Sequence, residues 1–167
     1  DYISAPDSDS LEMRTHDFSI AVWYKTSAPS EDGVLVSKRS DPSNTWTGYS
    51  VFMEDGKIRV FVNFVGQNGD VIVADTSTTN DGNWHLVVGT YDRDGYMRAY
   101  VDGVEVGTPA DISAYSSVDL NTIEEFSIGR RKVSGLSGDY YFNGSIDEVM
   151  IFNRSLSESE IKELYNI

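Results

Sequence analysis

Aromatic side chains in polar loops are the residues of this sequence best suited to bind a ligand. Trp46 lies among Ser, Asn, Thr and Gly residues, where no alternating pattern directs its side chain into a core. Tyr115 lies in a second long loop, and Tyr140 and Tyr141 follow a segment that contains Gly and Ser. A sugar ring has an apolar face of C–H groups and polar edges, so an exposed aromatic plane beside hydrogen-bonding groups holds it well. These four residues therefore predict a carbohydrate-binding surface.

Two adjacent arginines stand close to the tyrosine pair. Arg130 and Arg131 can donate hydrogen bonds to the hydroxyls or the carboxylate of an acidic sugar, or they can offset nearby acidic residues. Successive residues of a strand point to opposite faces, so at most one of Tyr140 and Tyr141 is buried. We expect both arginines to belong to the ligand-binding surface.

The residue patterns of common hydrolases are missing from the sequence. It contains no cysteine, which excludes thiol catalysis, disulfides and a cysteine zinc site. Its two histidines, His16 and His85, accompany neither Gly-x-Ser-x-Gly nor His-Glu-x-x-His, and His85 reads as a structural residue. Glycosidases need two carboxylates about 5 to 10 Å apart, and adjacent acids such as Asp147 and Glu148 are expected on opposite faces of a strand. The sequence indicates a non-catalytic protein, with a glycoside hydrolase as the remaining enzyme alternative.

The charge balance narrows the choice of partner. The 167 residues include 13 Lys plus Arg and 27 Asp plus Glu, a formal net charge of −14. Such a field repels phosphate backbones and anionic lipid headgroups, and it suits neutral or cationic partners and calcium. No apolar run is long enough to cross a bilayer. We therefore expect neither nucleic-acid binding nor membrane insertion.

Short alternating segments separated by turn residues predict the elements that carry these side chains. Asp55-Gly56 and Asp102-Gly103 are two-residue hairpin turns, and the longest loops are 41–48 and 108–122. Trp23, Trp84 and Tyr100 are predicted to fill the core between two sheets. The predicted strands are 18–25, 34–38, 49–54, 57–64, 71–75, 84–91, 96–101, 104–106, 126–130 and 145–152.

One short helix is predicted over 157–165, at the end of the chain. Ser157 is a good N-cap, and Glu160 three residues later completes a capping box. Ile161, Leu164 and Tyr165 share one face of this helix. A helix this short needs to dock on the sandwich to be stable.

Several motifs, in this order, resemble those of the laminin-G-like group of concanavalin-A-like jelly rolls. The resemblance implies an all-β, two-sheet antiparallel β-sandwich (jelly roll) with one short C-terminal helix, as a single domain over 1–167. The chain begins at Asp1-Tyr2-Ile3, inside a predicted strand, so we expect the domain to be excised from a larger protein. It also implies that strand 2–5 pairs near 146–152. The motifs are Phe-Ser-Ile-Ala-Val-Trp at 18–23, Gly-Asn-Trp-His-Leu-Val-Val-Gly-Thr-Tyr-Asp at 82–92, Arg-Ala-Tyr-Val-Asp-Gly at 98–103, Phe-Ser-Ile-Gly at 126–129, the run 142–157 and Glu-Ile-Lys-Glu-Leu-Tyr at 160–165.

The same resemblance implies a structural calcium ion. In the family, an Asp of the last long strand commonly meets the N-terminal strand at the ion. Asp147 occupies that position in Gly-Ser-Ile-Asp-Glu-Val, and Asp1 matches an acidic residue that often precedes the first strand. Calcium takes six to eight oxygen ligands, so one or two acids can be joined by backbone carbonyls.

Together, the residues and the resemblance predict a carbohydrate-binding, lectin-like or cell-surface recognition module of a secreted multidomain protein. The expected partner is a polysaccharide or glycan, or a cell-surface or matrix protein, and the expected location is extracellular or on the cell surface. The first alternative is a protein-interaction or spacer domain of an adhesin that has no glycan ligand. Related folds carry very different functions, so the fold does not decide between these readings.

Overall fold

The computed structural model describes residues 1–28, 33–40, 47–64, 71–74, 77–131 and 139–167. These residues form an all-β sandwich with one short C-terminal helix, as the sequence predicts. Short 3₁₀ turns lie at Asp9–Leu11 and Ser113–Tyr115, and the helix α1 spans Glu158–Tyr165. The strands are β1 (Ile3–Ala5), β2 (Phe18–Lys25), β3 (Gly33–Ser40), β4 (Thr47–Glu54), β5 (Lys57–Asn63), β6 (Val71–Ala74), β7 (Trp84–Tyr91), β8 (Tyr96–Val101), β9 (Val104–Asp111), β10 (Phe126–Ile128), β11 (Arg130–Arg131), β12 (Tyr140–Tyr141) and β13 (Ser145–Phe152).

Two antiparallel sheets make up the sandwich. The six-stranded sheet has the order β1-β10-β3-β4-β5-β6, and the five-stranded sheet has the order β13-β2-β7-β8-β9. A separate two-stranded ribbon joins β11 to β12. Both predicted Asp-Gly hairpins are confirmed. Asp55 and Gly56 have φ values of 52° and 72°, and Asp102 and Gly103 have 52° and 78°, the left-handed pair that a type I′ turn requires.

The core between the sheets is built from alternate residues of their strands. Phe18 of β2 stacks on Tyr91 of β7 with ring centroids 4.0 Å apart, and both rings are fully buried. The six-stranded sheet contributes Tyr49, Val51 and Val60 among others. Facing sheets that hide one face each in this way are the usual solution for alternating strands.

A second apolar cluster lies on the outer face of the five-stranded sheet, beneath α1. Ser157 caps the helix, and the capping box with Glu160 is present as predicted. Ile161 is the fully buried residue of the helix. The helix therefore docks on the sandwich, as its short length requires. The cluster consists of Ala21, Leu86, Val88, Tyr100, Leu156 and Ile161.

The assignment of three aromatic residues to the core between the sheets is wrong. Phe18 and Tyr91 point into that core, and strand alternation then directs Trp23 and Trp84 to the opposite face. Trp23 packs in the outer cluster and Tyr100 is buried there. Trp84 is 43% exposed.

Two further expectations about the strands are corrected. The N-terminal strand does not pair near 146–152, because β1 pairs with β10 (Ile3 opposite Ile128) at the edge of the six-stranded sheet, while β13 pairs with β2 in the other sheet. The predicted loop 108–122 begins as strand, since β9 continues to Asp111. Its Pro109 is tolerated because β9 is the edge strand of its sheet.

Candidate functional site

The outer face of the six-stranded sheet carries a row of small hydroxyl side chains. Ser37, Ser50 and Ser127 are successive cross-strand partners and alternate with residues of the core between the sheets. Ser37, Ser50 and Ser127 are nonetheless almost fully buried, so other parts of the protein cover this stretch of the face. The complete row, one residue from each strand, is Ser4, Ser127, Ser37, Ser50, Phe61 and Ile72.

A groove of about 320 Å³ opens on this face, and we refer to it as the outer groove. Phe52, Phe61 and Ile72 give it an apolar floor. The guanidinium carbon of Arg39 lies 4.3 Å from the centroid of the Phe61 ring, which is a cation–π distance. An apolar floor with a few charged groups at its margin is the usual make-up of a small-molecule site.

The ribbon of β11 and β12 forms one rim of the outer groove. Arg131 and Tyr140 line the groove and are cross-strand partners, with the Arg131 guanidinium carbon 5.2 Å from the Tyr140 ring centroid. Tyr140 is 45% exposed and Tyr141 is 50% exposed, so the prediction that at most one of them is buried is confirmed. The structure thus brings together four of the predicted ligand-binding residues, since Arg130 pairs with Tyr141 in the same ribbon.

Arg130 holds the ribbon in place. Its buried guanidinium bonds to Glu125 and, at 3.5 Å, to Asp139. Burial disfavours the charged form, but the carboxylates outweigh it and raise the pKa of Arg130 above its usual value. The sequence left open whether this arginine binds a ligand or offsets local acidity. The structure shows ion pairs with nearby acidic residues.

Tyr2 packs against the other residue pair of this ribbon, Arg130 and Tyr141, and the sequence analysis missed it. The guanidinium carbon of Arg130 lies 3.8 Å from the Tyr2 ring centroid, and the Tyr2 and Tyr141 rings are 6.2 Å apart. Tyr2 is 48% exposed. Only the pairing of β1 with β10 places it beside the residues that follow Gly129, and that long-range pairing leaves no local sequence signal.

The other two predicted ligand-binding residues lie elsewhere. Tyr115 is half-buried and stacks on Phe64 with ring centroids 4.6 Å apart, against the core between the sheets. Its backbone carbonyl accepts a hydrogen bond from Arg93 at 2.6 Å. Trp46 lies outside the described residues, and its role stays a prediction.

The two acids implied for calcium are placed differently from each other. The carboxylate of Asp147 is exposed and accepts a hydrogen bond from the Glu148 backbone N–H at 2.9 Å. A β-bulge follows, in which Glu148 has a φ of 45°. Asp147 and Glu148 are both exposed, so the two acids do not follow the regular alternation of a strand. Asp1 lines a small pocket with Ile146, whose side chain packs on the inner core. Within the described ranges no three acidic or histidine side chains are grouped to hold a metal, so an ion at Asp147 would need backbone carbonyls and water as ligands.

The sequence and the fold both have known relatives. The family profile described as the Concanavalin A-like lectin/glucanases superfamily (Laminin G 3) matches residues 1–162. The chain is 27% identical over 154 residues to the Adhesion G-protein coupled receptor V1 of Danio rerio, a match that covers 89% of this chain and 2% of the receptor.

Two solved structures share the fold over almost the whole chain. The binding domain of Paraclostridial Mosquitocidal Protein 1 has a TM-score of 0.73 at 16% identity, covering 99% of this chain and 40% of that one. The binding domain of Botulinum neurotoxin DC, in complex with rat synaptotagmin II, has a TM-score of 0.71 at 15% identity, covering 99% of this chain and 39% of that one. At these identities the likeness shows the fold alone. The chain therefore spans less than half of the structures it resembles and a small fraction of the receptor.

Among the described residues, none of the helices has the length and apolar character needed to cross a membrane.

Proposed function

Because this chain belongs to the Concanavalin A-like lectin/glucanases superfamily, we propose that it is a non-catalytic, extracellular binding module whose ligand is a glycan. The observation that carries the proposal is the outer groove with the exposed Tyr140 at its rim. Tyr140 and Arg131 stand at the margin of a groove whose floor is Phe52, Phe61 and Ile72.

The physical argument rests on the two kinds of contact that a sugar needs. The exposed Tyr140 ring offers a flat apolar surface to the C–H face of a pyranose. The guanidinium of Arg131 lies beside that ring and carries N–H donors of the kind that bind the hydroxyls at the edge of a sugar. The ribbon is anchored by the ion pairs of Arg130, so the rim is in place before the ligand binds.

A protein partner is the second candidate function. The Botulinum neurotoxin DC binding domain, which shares this fold, has been solved with rat synaptotagmin II and, separately, with SialylT. The receptor of Danio rerio is by name an adhesion protein. An interaction domain of an adhesin would use the same exposed tyrosines, since aromatic residues and arginine are enriched at protein interfaces.

A glycan array followed by titration tests the proposal. Tyr140→Ala should lower the affinity for the glycan by about ten- to a hundredfold, because stacking of bases on aromatic side chains contributes about 1–3 kcal/mol. Tyr96→Ala is the matched control, because Tyr96 is also 45% exposed, with the Arg98 guanidinium carbon 5.4 Å from its ring, and lies on the other sheet.

Three results would contradict the glycan assignment. They are an array without any specific glycan, equal losses from the Tyr140 and Tyr96 variants, and release of new reducing ends from a bound polysaccharide, which would indicate a hydrolase. Binding of a surface protein that Tyr140→Ala weakens, with no glycan bound, would support the second candidate instead.

We also propose that calcium stabilises the domain through Asp147, as the family resemblance implies. An ion bound only by the folded protein stabilises it by about 2.7 kcal/mol at a hundredfold excess over the Kd. A chelator should therefore lower the Tm of the wild type, and Asp147→Asn should remove this sensitivity. Asp94→Asn, at an exposed acid of the β7–β8 turn, is the control that should keep it. An unchanged Tm after chelation and dialysis would contradict the calcium proposal.

A further inference from the structure

A second exposed aromatic side chain lies on the opposite sheet from the outer groove. Trp84 begins β7 and is 43% exposed on the outer face of the five-stranded sheet. It lies opposite Lys25 of β2, which in turn lies opposite Ser145 of β13. These three residues form one row across three strands, and all three are exposed. The row stands one step beyond Trp23 and Leu86, which belong to the cluster beneath α1.

Lys25 holds its ammonium group beside this indole, with no carboxylate partner in the part of the chain that the structure describes. The Nζ atom lies 6.0 Å from the Trp84 ring centroid. Among the described residues, no Asp or Glu oxygen lies within 4.0 Å of it. In a chain with 27 acidic and 13 basic residues, a lysine that has no carboxylate partner among the described residues and lies beside an exposed tryptophan is suited to bind an anionic group.

A pocket of about 320 Å³ adjoins this row at Lys25 and Ser145. Its wall is fixed by backbone contacts. The Thr26 carbonyl accepts from the Gly82 N–H at 2.9 Å, and the Thr26 hydroxyl donates to the Asn143 carbonyl at 2.6 Å. Gly144 is packed so closely that a Cβ there would lie 2.3 Å from the Lys25 carbonyl oxygen. The pocket is therefore shaped by main chain and small side chains, and the lysine and serine stand at its mouth.

We propose that Trp84, Lys25 and the adjoining pocket form a second saccharide site, which binds a sugar that carries a carboxylate. The indole stacks on the C–H face of the ring, the Lys25 ammonium pairs with the carboxylate, and Ser145 lies within the same row to bond a hydroxyl. This site is separate from the outer groove and goes beyond the function proposed for it. Two sites on opposite sheets would let one domain bridge two glycan chains.

The carboxylate follows from the charge at this position. A neutral sugar would gain only the stacking and one hydrogen bond, whereas an ionised acceptor of the ammonium makes a stronger, charge-assisted bond. The net charge of −14 repels an acidic chain at long range, but this repulsion is screened beyond about 8 Å at physiological ionic strength. Binding should therefore depend on the local contact with Lys25.

Titration followed by ¹H–¹⁵N NMR tests the site directly through the indole N–H of Trp84. The probes are trigalacturonate, a hyaluronan tetrasaccharide and N-acetylneuraminic acid, each compared with its neutral methyl ester. We expect at least one acid to shift the Trp84 signal, and its methyl ester to bind at least tenfold more weakly. Lys25→Met should weaken binding of the acid at least tenfold by this signal, and Trp84→Ala, which lacks the indole, should weaken it at least tenfold by isothermal titration calorimetry.

Matched variants separate this site from general effects. Lys57→Met removes a charge on the other sheet, and Tyr96→Ala removes an equally exposed aromatic of the same sheet; both should change the affinity less than twofold. Tyr140→Ala should also leave it unchanged, so failure of the outer groove would not affect this result. Three results would overturn the proposal. They are the absence of a Trp84 shift with any of the three acids at the highest concentration titrated, equal affinities for an acid and its methyl ester, and an unchanged affinity in Lys25→Met.

Discussion

The two sheets use their outer faces differently. On the five-stranded sheet, the outward residues Ala21, Leu86, Val88 and Tyr100 are apolar and lie beneath α1. On the six-stranded sheet, the corresponding central row is made of serines that continue into Phe61 and Ile72, and the outer groove lies there. The same period-2 alternation thus gives an apolar cluster beneath a helix on one sheet, and a row of buried hydroxyls beside a groove on the other.

This difference shows that a strand pattern fixes the face of a side chain but not its burial. Trp23 and Trp84 both point outward from the five-stranded sheet. The first packs beneath the helix and the second lies beyond its reach and is 43% exposed. The covering element therefore decides which outward aromatic residues stabilise the fold and which are free to bind a ligand.

Removing the central helix contact should have the largest effect. Ile161→Ala opens a cavity beneath α1, and we expect the free energy of unfolding to fall by about 2–5 kcal/mol. Glu163→Ala, at an exposed position of the same helix, should change it by less than about 0.5 kcal/mol. Urea unfolding measures both. Equal, small effects would show that the helix does not close the outer face of the five-stranded sheet.

Substitution of the two tryptophans tests the same boundary within one sheet. Trp23→Ala removes a ring that stacks on Tyr165 with centroids 5.8 Å apart, and we expect a loss of about 2 kcal/mol or more. Trp84→Ala should cost less than about 1 kcal/mol, because much of that ring is already in water. A larger loss at Trp84 than at Trp23 would contradict the assignment of the two faces.

The elements were largely predictable from sequence because they depend on local signals. Alternation gave the same bounds for β2, β7, β8 and β13, the Asp-Gly pairs gave two hairpins, and Ser157 with Glu160 gave the start of the helix. The pairing of β1 was not predictable in this way, since it joins residues more than 120 positions apart.

The candidate site was predictable in part for the same reason. Tyr140, Tyr141, Arg130 and Arg131 are neighbours along the chain or across one ribbon, and the sequence marked all four. Tyr2 joins them only through β1, and Trp84 was placed inside because a tryptophan in an apolar strand is usually buried. The outward parity of Trp84 could have been found by counting from Tyr91, but its exposure depends on where α1 ends.

The serine row of the six-stranded sheet should contribute far less to stability than the cluster beneath the helix. The Ser50 hydroxyl donates to the Val36 carbonyl at 2.9 Å in a buried position. Ser50→Ala removes this bond and should lower the free energy of unfolding by about 0.5–1.5 kcal/mol. Ser4→Ala, at the exposed end of the same row, is the control and should have no measurable effect. A loss at Ser50 as large as that at Ile161 would mean that this face is also a core.

The smallest effect concerns His85, which follows Trp84 and points to the other face of the same strand. Its Nδ1 lies 2.7 Å from Asp102 and its Nε2 lies 3.1 Å from Asp81, and its ring is 5.8 Å from that of Tyr24. Burial disfavours the imidazolium, but the hydrogen bonds and charges of the two carboxylates outweigh it and raise the pKa of His85 above 6.5. Hydrogen bonds from the backbone and side chain of Asn83, and then from His85, lower the pKa of Asp81 to about 2.

These shifts fix the sign of the pH dependence. A pKa that is higher in the folded protein contributes stability that is complete below the unfolded value of 6.5 and is lost as the pH rises through the folded value. The wild type should therefore lose stability between pH 6 and pH 8, and His85→Gln should lose less over the same range. Urea unfolding at the two pH values measures the difference, and an NMR titration of the His85 ring should give a midpoint above 6.5. A midpoint below 6.5, or the same loss of stability in the His85 variant, would show that the two carboxylates do not stabilise the imidazolium.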